Sequence, residues 1–569
     1  MRNAEVATLL YNISELLEIK GEITFKIRAY AKAARAIEGN TEDIEKIARE
    51  KRLKEIPGVG EKIAEKIEEY LETGKLESYE DLKKQVPKEL HELLKIPGIG
   101  PKTLQFLHGE IGIKSVEDLE KAAREHRLRR LERFGATKEE NIIKAIERYR
   151  QRSSRIPLGT ALPLVREIIE ALAKSGFIET IEPAGSLRRK KETVGDIDIL
   201  AISKDALAAI EAFVHLPAVK EVIVKGPTKA TVITHEAIQV DLRIMESRSF
   251  GTSLQYFTGS KEHNIKLRDL ARQKGLKLSE YDLEEISTGK KIYCGSDDEV
   301  YNKLGLAPIP PEIREDTGEI EAALGGKLPM LVENKDIKGD FHIHTDWSEG
   351  TNTLAEMVEA AKKLGYEYIA VTDHSKAIGV AHGLSEERLL AQIDEIQKLN
   401  RKLENFRVFT GIEVDIKADS SLNFPDSILR QCDVVVAALH TGQRQTRREI
   451  TGRLITAMEN ENVDIIAHPT GRIIGEREAY DVDIDALLDA AAGSHTVLEI
   501  NAYPSRLDLS DVNARKAKNK GIKIAIGTDA HNIGHLGLME FGVNVARRAW
   551  LEKKDVMNTR AAEDVKFKD

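Results

Sequence analysis

After residue 337 one pattern recurs seven times, a short apolar run followed by a stretch of helical periodicity. The runs cover residues 339–344, 368–372, 408–414, 434–439, 464–467, 496–500 and 523–526. Repeated strand–helix units imply a parallel sheet with helices outside it. Seven strands in about 230 residues suggest a (β/α)7 barrel, with an open sheet as the alternative. The runs also end alike. His342-Ile343-His344, Thr372-Asp373-His374, Gly411-Ile412-Glu413, Leu439-His440, Ala467-His468-Pro469 and Thr528-Asp529-Ala530-His531 lie at or beside their C-terminal ends. Parallel α/β folds place their sites there. A lone histidine after an apolar run is ordinarily structural, but six of them, with Glu413 and Asp529, are hard to explain by packing. Mixed imidazole and carboxylate donors suit Zn²⁺ or Mn²⁺ and metal-activated water.

The rest of the chain reads differently. Residues 1–150 show three-four apolar spacing and good helix formers, and carry a repeat: Ile56-Pro57-Gly58-Val59-Gly60 and Ile96-Pro97-Gly98-Ile99-Gly100. From residue 155 an amphipathic helix over 162–174 gives way to strand-like runs, including 196–202 and 237–244. Pro308, Pro310, Pro311, Gly318, Gly325, Gly326 and Pro329 punctuate residues 305–337 as an interdomain linker. With 569 residues in all, three or four domains are expected at roughly 150 residues each.

Composition excludes several classes. No apolar run approaches the ~20 residues of a bilayer span, so no membrane partner is expected. Cys294 and Cys432 are too few for a disulfide framework or a Cys-based zinc site, and fit a reducing cytoplasm. The net charge of −9 argues against a nucleic-acid partner only until it is divided. Residues 336–569 hold 30 Lys+Arg against 38 Asp+Glu, and nine of the 15 histidines, whereas residues 1–335 hold 56 against 57. Nucleic-acid contacts in the nearly neutral part must come from local placement, such as Arg124, Arg127, Arg129, Arg130 and Arg133, a run that reads equally well as a solvated helix face.

Gly185-Ser186-Leu187-Arg188-Arg189 precedes Gly195-Asp196-Ile197-Asp198-Ile199-Leu200. Residues two apart on a strand share a face, so Asp196 and Asp198 point together while Ile197 and Ile199 enter the core. Gln239-Val240-Asp241-Leu242-Arg243 adds a third acid. Three carboxylates on neighbouring strands can hold two Mg²⁺ ions about 4 Å apart for in-line phosphoryl transfer. The Gly185-Ser186 turn offers backbone N–H groups, and Arg189 a positive charge, to a triphosphate.

These segments resemble the nucleotidyltransferase superfamily and, within it, the family X (polymerase beta-like) DNA polymerases. Tyr256-Phe257-Thr258-Gly259-Ser260 is similar to that family's sugar-contact motif. The resemblance implies that Asp196 and Asp198 hold both metals, while Asp241 binds the catalytic ion and helps deprotonate the primer 3′-hydroxyl. It implies that Arg155, Ser186, Arg189 and Gly195 contact the incoming triphosphate, that Tyr256, Phe257 and Gly259 pack on its sugar, and that Asn264 and Arg268 meet the base and template sides. Lys261 replaces an acid near the nucleotide. The paired glycine turns resemble helix-hairpin-helix motifs. By that likeness carbonyls of Lys54, Ile56 and Val59, and of Leu94, Ile96 and Ile99, hold a monovalent cation against DNA phosphate, with Gly58, Gly60, Gly98 and Gly100 shaping the turns. Lys62 and Lys66 share a helix face and read as phosphate contacts. Lys66 also matches the family's Schiff-base lysine, with Lys26 and Tyr30 beside it, but Phe25 replaces a histidine of that pocket.

The histidine-rich part resembles the polymerase and histidinol phosphatase (PHP) domain. Its trinuclear ligand set maps onto His342, His344, Glu349, His374, Glu413, His440, His468, Asp529 and His531. Glu349 falls where Asp is common, and Asp346 is an alternative. The expected plan is multidomain: a helical domain with the first hairpin over 1–90, a second hairpin subdomain over 91–150, an α+β palm over 151–245, a thumb-like subdomain over 246–315, a linker over 316–337 and the PHP barrel over 338–569. The expected function is a cytoplasmic, monomeric DNA polymerase that fills short gaps in repair. It would take gapped or primed double-stranded DNA and deoxynucleoside triphosphates, using two Mg²⁺ at the palm. Its barrel would hold up to three Mn²⁺ or Zn²⁺ and act as a 3′–5′ exonuclease, with abasic-site cleavage or 3′-phosphate removal as further activities. The alternatives are a polymerase with a purely structural barrel and a non-catalytic DNA-end scaffold.

Overall fold

The computed structural model describes residues 3–20, 22–38, 44–85, 93, 96, 99, 101–131, 134–151, 155–376, 383–443, 445–475 and 477–567. The chain divides into two units, Met1–Arg155 and Ile156–Asp569. The first is all-α. Helices including Asn3–Ile19, Thr24–Glu38, Glu61–Thr73, Pro101–Ile111 and Val116–Arg124 turn their apolar stripes onto one core, with Leu10, Ile37, Ile67, Leu107 and Leu119 inside it. Ser115 starts the last of these by accepting from the Asp118 backbone N–H in a reciprocal capping box.

The second unit begins with a five-stranded mixed sheet. Its strands are β1 (Ile178–Pro183), β2 (Ile197–Ser203), β3 (Val219–Lys225), β4 (Lys229–Thr234) and β5 (Gln239–Ile244), in spatial order β1-β2-β5-β4-β3. Period two sorts β2: Ile197, Ile199 and Ala201 pack with the helices Leu158–Lys174 and Ala206–Val214, while Leu200 meets Phe250 and Leu254 on the opposite face. The first of those helices starts four residues earlier than its sequence pattern indicates and runs through Pro163.

Seven further strands follow: β6 (Gly339–Ile343), β7 (Tyr368–Val371), β8 (Arg407–Asp415), β9 (Val434–Ala438), β10 (Ile465–Ile466), β11 (Val497–Asn501) and β12 (Ile524–Gly527). They pair in chain order and in parallel. Ile343 bridges Ala530 in parallel and His344 N donates to Ala530 O at 2.8 Å, so the first strand meets the end of the last and the barrel is nearly closed. Phe341, Tyr368, Phe409, Val436 and Ala525 fill the interior. Ile369, Val371 and Val408 face outward onto the flanking helices. The capping boxes Thr353/Glu356 and Thr446/Glu449 start two of those helices.

Residues 316–337 are packed in part, with 324–327 and 330 exposed. Buried Glu319 accepts the backbone N–H groups of Asp316 (2.9 Å) and Thr317 (2.7 Å) and lies 2.6 Å from His263 Nδ1, whose Nε2 is 2.9 Å from the Tyr301 hydroxyl. Ile320, Ala323 and Val332 are buried as well. Ion pairs then tie the barrel to the sheet: Arg166 with Glu540 (2.7 Å), Arg547 with Glu312 (2.8 Å), and Arg472 with Glu192 (2.7 Å). Among the described residues no helix is long and apolar enough to cross a membrane.

Candidate active sites

The acid centre lies where β2 and β5 run side by side. Their register sets Asp198 opposite Asp241, and Asp196 is exposed just before β2. Burial, then the charges of Asp196 and Asp241, push the Asp198 carboxyl up to about 6. A carboxyl whose ionisation is opposed by burial and by two neighbouring acids is part of a donor set suited to a cation. Cationic side chains do lie near: Lys229 Nζ is 3.2 Å and Arg243 Nη2 4.0 Å from Asp241 Oδ2. Gly185 approaches closely: at φ +63°, a Cβ there would sit 3.1 Å from Asp198 Oδ2. The turn with Ser186 therefore borders the acids.

The remaining palm and thumb residues are placed as follows. Tyr256 and Phe257 make an edge-to-face pair at 5.2 Å, with the Arg243 guanidinium 4.6 Å above the Phe257 ring. Arg189 donates to Glu315 Oε1 (3.0 Å) and to the Thr258 carbonyl, which ties the Gly185 turn to residues 256–260. Asn264 is buried, donating to Tyr256 O at 2.7 Å and accepting from Gln255 Nε2 at 2.7 Å. Gly195, Lys261 and Arg155 are exposed, and Arg268 is half-buried. Arg155 closes the first unit.

Where both hairpins are described, their backbone bonds match. Ile56 N donates to Leu53 O (3.2 Å) and Val59 N to Ile56 O (3.0 Å); Ile96 N donates to Leu93 O (3.2 Å) and Ile99 N to Ile96 O (3.0 Å). All four apolar side chains are buried, so each turn is anchored from beneath. Gly58 has φ +91°, and a Cβ there would lie 2.9 Å from Ala33 N. Leu94, Gly98, Gly100 and Arg133 lie outside the described residues. Lys54 pairs with Glu61 at 2.7 Å, and Lys62 is exposed. Burial lowers Lys66, which donates to Ser78 Oγ. Of the arginine run, Arg129 pairs with fully buried Glu139 (2.6 Å) and Arg124 with Glu120 (2.9 Å).

The barrel brings all nine expected ligands together. Glu413, at the end of β8, is the centre: its Oε2 lies 2.7 Å from His374 Nδ1, 3.4 Å from His342 Nε2 and 3.7 Å from His344 Nε2, and its Oε1 lies 3.2 Å from His468 Nε2 and 3.3 Å from His440 Nε2. Asp529 Oδ1 is 3.2 Å from His344 Nε2. Glu349 Oε1 is 2.9 Å from both His374 Nε2 and His531 Nε2, while Asp346 points to solvent, so the longer side chain reaches the cluster. His468 (φ +28°) and Asp529 (φ +54°) hold left-handed backbone, a strain found at functional sites.

Three overlapping groups could each hold a cation: His344, His374 and His531; His342, His344 and Asp529; and His374, Glu413 and His440. Buried His342 Nε2, His344 Nε2 and Glu413 Oε2 crowd one another without forming a well-aligned hydrogen bond, as expected of atoms that share an ion. Burial pushes His344 down to about 3 and His468 to about 4, leaving neutral rings with free lone pairs. Despite its burial, His374, His440 and His342 hold Glu413 well below the carboxylate range.

The supporting acids were missed from sequence. Glu499 on β11 sits 2.6 Å from His342 Nδ1 and accepts the His468 backbone N–H at 2.6 Å. Asp415 accepts the His440 backbone N–H at 3.0 Å. Asp373 accepts from Thr345 N (2.8 Å), Ser348 Oγ and Gln392 Nε2 (2.6 Å), fixing the loop that carries Glu349. Such partners orient metal-binding rings and hold loops in place. An acid inside an apolar strand, as in Val497–Asn501, was the available signal.

Four family models match this chain: a helix-hairpin-helix domain at residues 1–76, a SAM-like helix-hairpin-helix tandem at 90–148, a DNA polymerase beta thumb at 253–315 and a PHP domain at 340–503. Among its relatives is a Bacillus subtilis (strain 168) protein named DNA polymerase/3′-5′ exonuclease PolX, 41% identical over 567 residues, covering 99% of each chain. A Thermoanaerobacter sp. (strain X514) protein named a probable phosphatase is 34% identical over 232 residues, 39% of this chain and 89% of its own. One of the same designation from Clostridium acetobutylicum is 28% identical over 239 residues, 40% and 93%.

Proposed function

The chain belongs to the family of DNA polymerase/3′-5′ exonuclease PolX, and from that premise we propose that its acid centre extends DNA primers and its histidine centre degrades 3′ ends. The observation that carries this reading is the presence, in one compact unit, of two donor clusters of opposite design: three carboxylates beside a glycine turn, and nine converging ligands in a barrel mouth. Divalent cations, when bound, clamp phosphoryl oxygens and activate an attacking hydroxyl or water.

At the palm, Asp196 and Asp198 hold both Mg²⁺ ions, and Asp241 holds the catalytic one and takes up the primer hydroxyl proton. Ser186 and the Gly185 turn, with Arg189, Arg155 and Gly195, orient the triphosphate. Tyr256, Phe257 and Gly259 pack on its sugar, while Asn264 and Arg268 face the base and template. At the barrel, His342, His344, Glu349, His374, Glu413, His440, His468, Asp529 and His531 hold up to three Mn²⁺ or Zn²⁺ ions. The hairpins engage DNA phosphates through backbone groups and a monovalent cation, with Lys62 and Lys66 beside the first. The substrate is gapped or primed duplex, and the protein acts as a cytoplasmic monomer in repair. The test is a one-nucleotide-gapped duplex incubated with Mg²⁺ or Mn²⁺. Adding the complementary nucleotide should turn net shortening into extension; shortening unaffected by nucleotide would sink the polymerase reading.

A further inference from the structure

Arg548 ends the helix Met539–Arg548 on the outside of the barrel, more than two hundred residues along the chain from every nucleotide-site residue assigned above, yet its side chain is only 5% exposed. On the barrel side its Nε and Nη2 reach Asp511 Oδ2 at 2.8 and 2.7 Å. Its Nη1 crosses to the polymerase half. There it donates to the carbonyls of Arg189 (2.7 Å) and Glu312 (3.1 Å) and to Glu315 Oε1 (3.1 Å).

That same Glu315 oxygen accepts from Arg189 Nε at 3.0 Å, and Arg189 Nη1 reaches the Thr258 carbonyl. Arg548 thus holds Arg189 at both ends, directly by its main chain and through Glu315 by its side chain. Arg189 in turn sets the separation between the Gly185 turn and residues 256–260, the two walls given above to the nucleotide. A flexible ammonium replaces only part of a guanidinium bonded in several in-plane directions, and removing the group leaves half-buried Asp511 and Glu315 with fewer counter-charges. Burial opposes ionisation of Glu315, but Arg548, Lys191 and Arg189 hold its carboxyl at about 2.

We propose that Arg548, a barrel residue, is a positioning residue for the nucleotide pocket of the polymerase half. The inference rests on the polymerase reading above. It touches neither DNA, nucleotide nor metal, and its effect is confined to how well the two pocket walls are registered.

The test compares wild type, Arg548→Ala, Arg548→Lys and Glu315→Gln, full-length, in single-nucleotide gap filling with Mg²⁺ and in 3′-end degradation with Mn²⁺. Arg548→Ala should raise the nucleotide KM on the order of tenfold to a hundredfold, the cost of a misplaced reacting group. Degradation should stay within about twofold, since none of the nine ligands contacts Arg548. Arg548→Lys should recover part of the KM, and Glu315→Gln should raise it while leaving degradation intact. An unchanged KM in Arg548→Ala, or parallel loss of both activities in every variant, overturns the proposal. Should Arg548→Ala fail to fold, Arg548→Lys and Glu315→Gln decide it by the same two readouts. Failure of wild type to extend would instead overturn the polymerase reading.

Discussion

The acid centre and the histidine centre solve the same problem in opposite ways. In the acid centre, Asp196 is exposed, Asp198 is pushed up to about 6 by burial and neighbouring acids, and the Asp241 carboxylate is met only by the long side chains of Lys229, Arg243 and Gln239 among the described residues. In the barrel, Glu413 touches five imidazoles, and Glu499, Asp415 and Asp373 fix the rings and loops around it. One centre is completed by what it binds; the other is assembled before anything arrives. A transferase whose substrate brings its own phosphates and cation suits the first design, and a hydrolytic site that must hold its ions between turnovers suits the second.

The comparison is most severely tested by removing each centre in turn. Asp196→Ala with Asp198→Ala should lower primer extension by roughly 10³-fold or more while sparing degradation; His342→Ala with His344→Ala should do the reverse. Loss of both activities in both double variants would show one centre, not two. Glu499→Gln keeps the shape but weakens the support of His342, and should reduce Mn²⁺ affinity and degradation by about 10- to 100-fold with extension unchanged. If degradation is untouched, the barrel is not held together as described.

Acidity separates the centres further. Because the Asp198 carboxyl sits at about 6, above its unfolded value of 3.8, its contribution to the cation-free fold is favourable at low pH and is lost as pH rises through about 6. Asp198→Asn should therefore stabilise the cation-free protein at pH 7.5 by roughly 1–2 kcal/mol, read by thermal denaturation. In wild type, extension at subsaturating Mg²⁺ should fall about tenfold per unit below pH 6, as protons compete for the site. The smallest effect is expected of Glu349→Asp: one methylene fewer draws the carboxylate away from His374 and His531, and the Mn²⁺ needed for half-maximal degradation should rise only a few-fold.

Most of the fold was legible because its signals were local. The seven apolar runs appear as β6 to β12 in chain order, and the paired Ile-Pro-Gly turns reflect two hairpins with matching bonds wherever both are described. Eight of the nine expected ligands were legible because strand ends are countable, and Glu349 came only with the resemblance to the PHP domain. Glu499 was not legible, since one acid in a strand looks like an ordinary exposed residue until His342 is seen across from it. In the segment at 316–337 the prolines and glycines are conspicuous in sequence, whereas buried Ile320, Ala323 and Val332 are not. Arg548 and Glu315 had no signal at all. Their meaning lies in a contact spanning more than two hundred residues, which no spacing rule encodes.

The ion pair between Arg472 and Glu192 has a bearing on how such a molecule can be rebuilt. Arg472 lies four residues after His468, and Glu192 four residues before Asp196, so one contact of 2.7 Å splices the loops of both centres. A barrel grafted from another chain would bring its own loop after His468 and meet this Glu192 with whatever residue it carried. Chimeras made at the apparent boundary near residue 337 should work best when positions 192 and 472 travel together, and with them the pairs at 166/540 and 312/547.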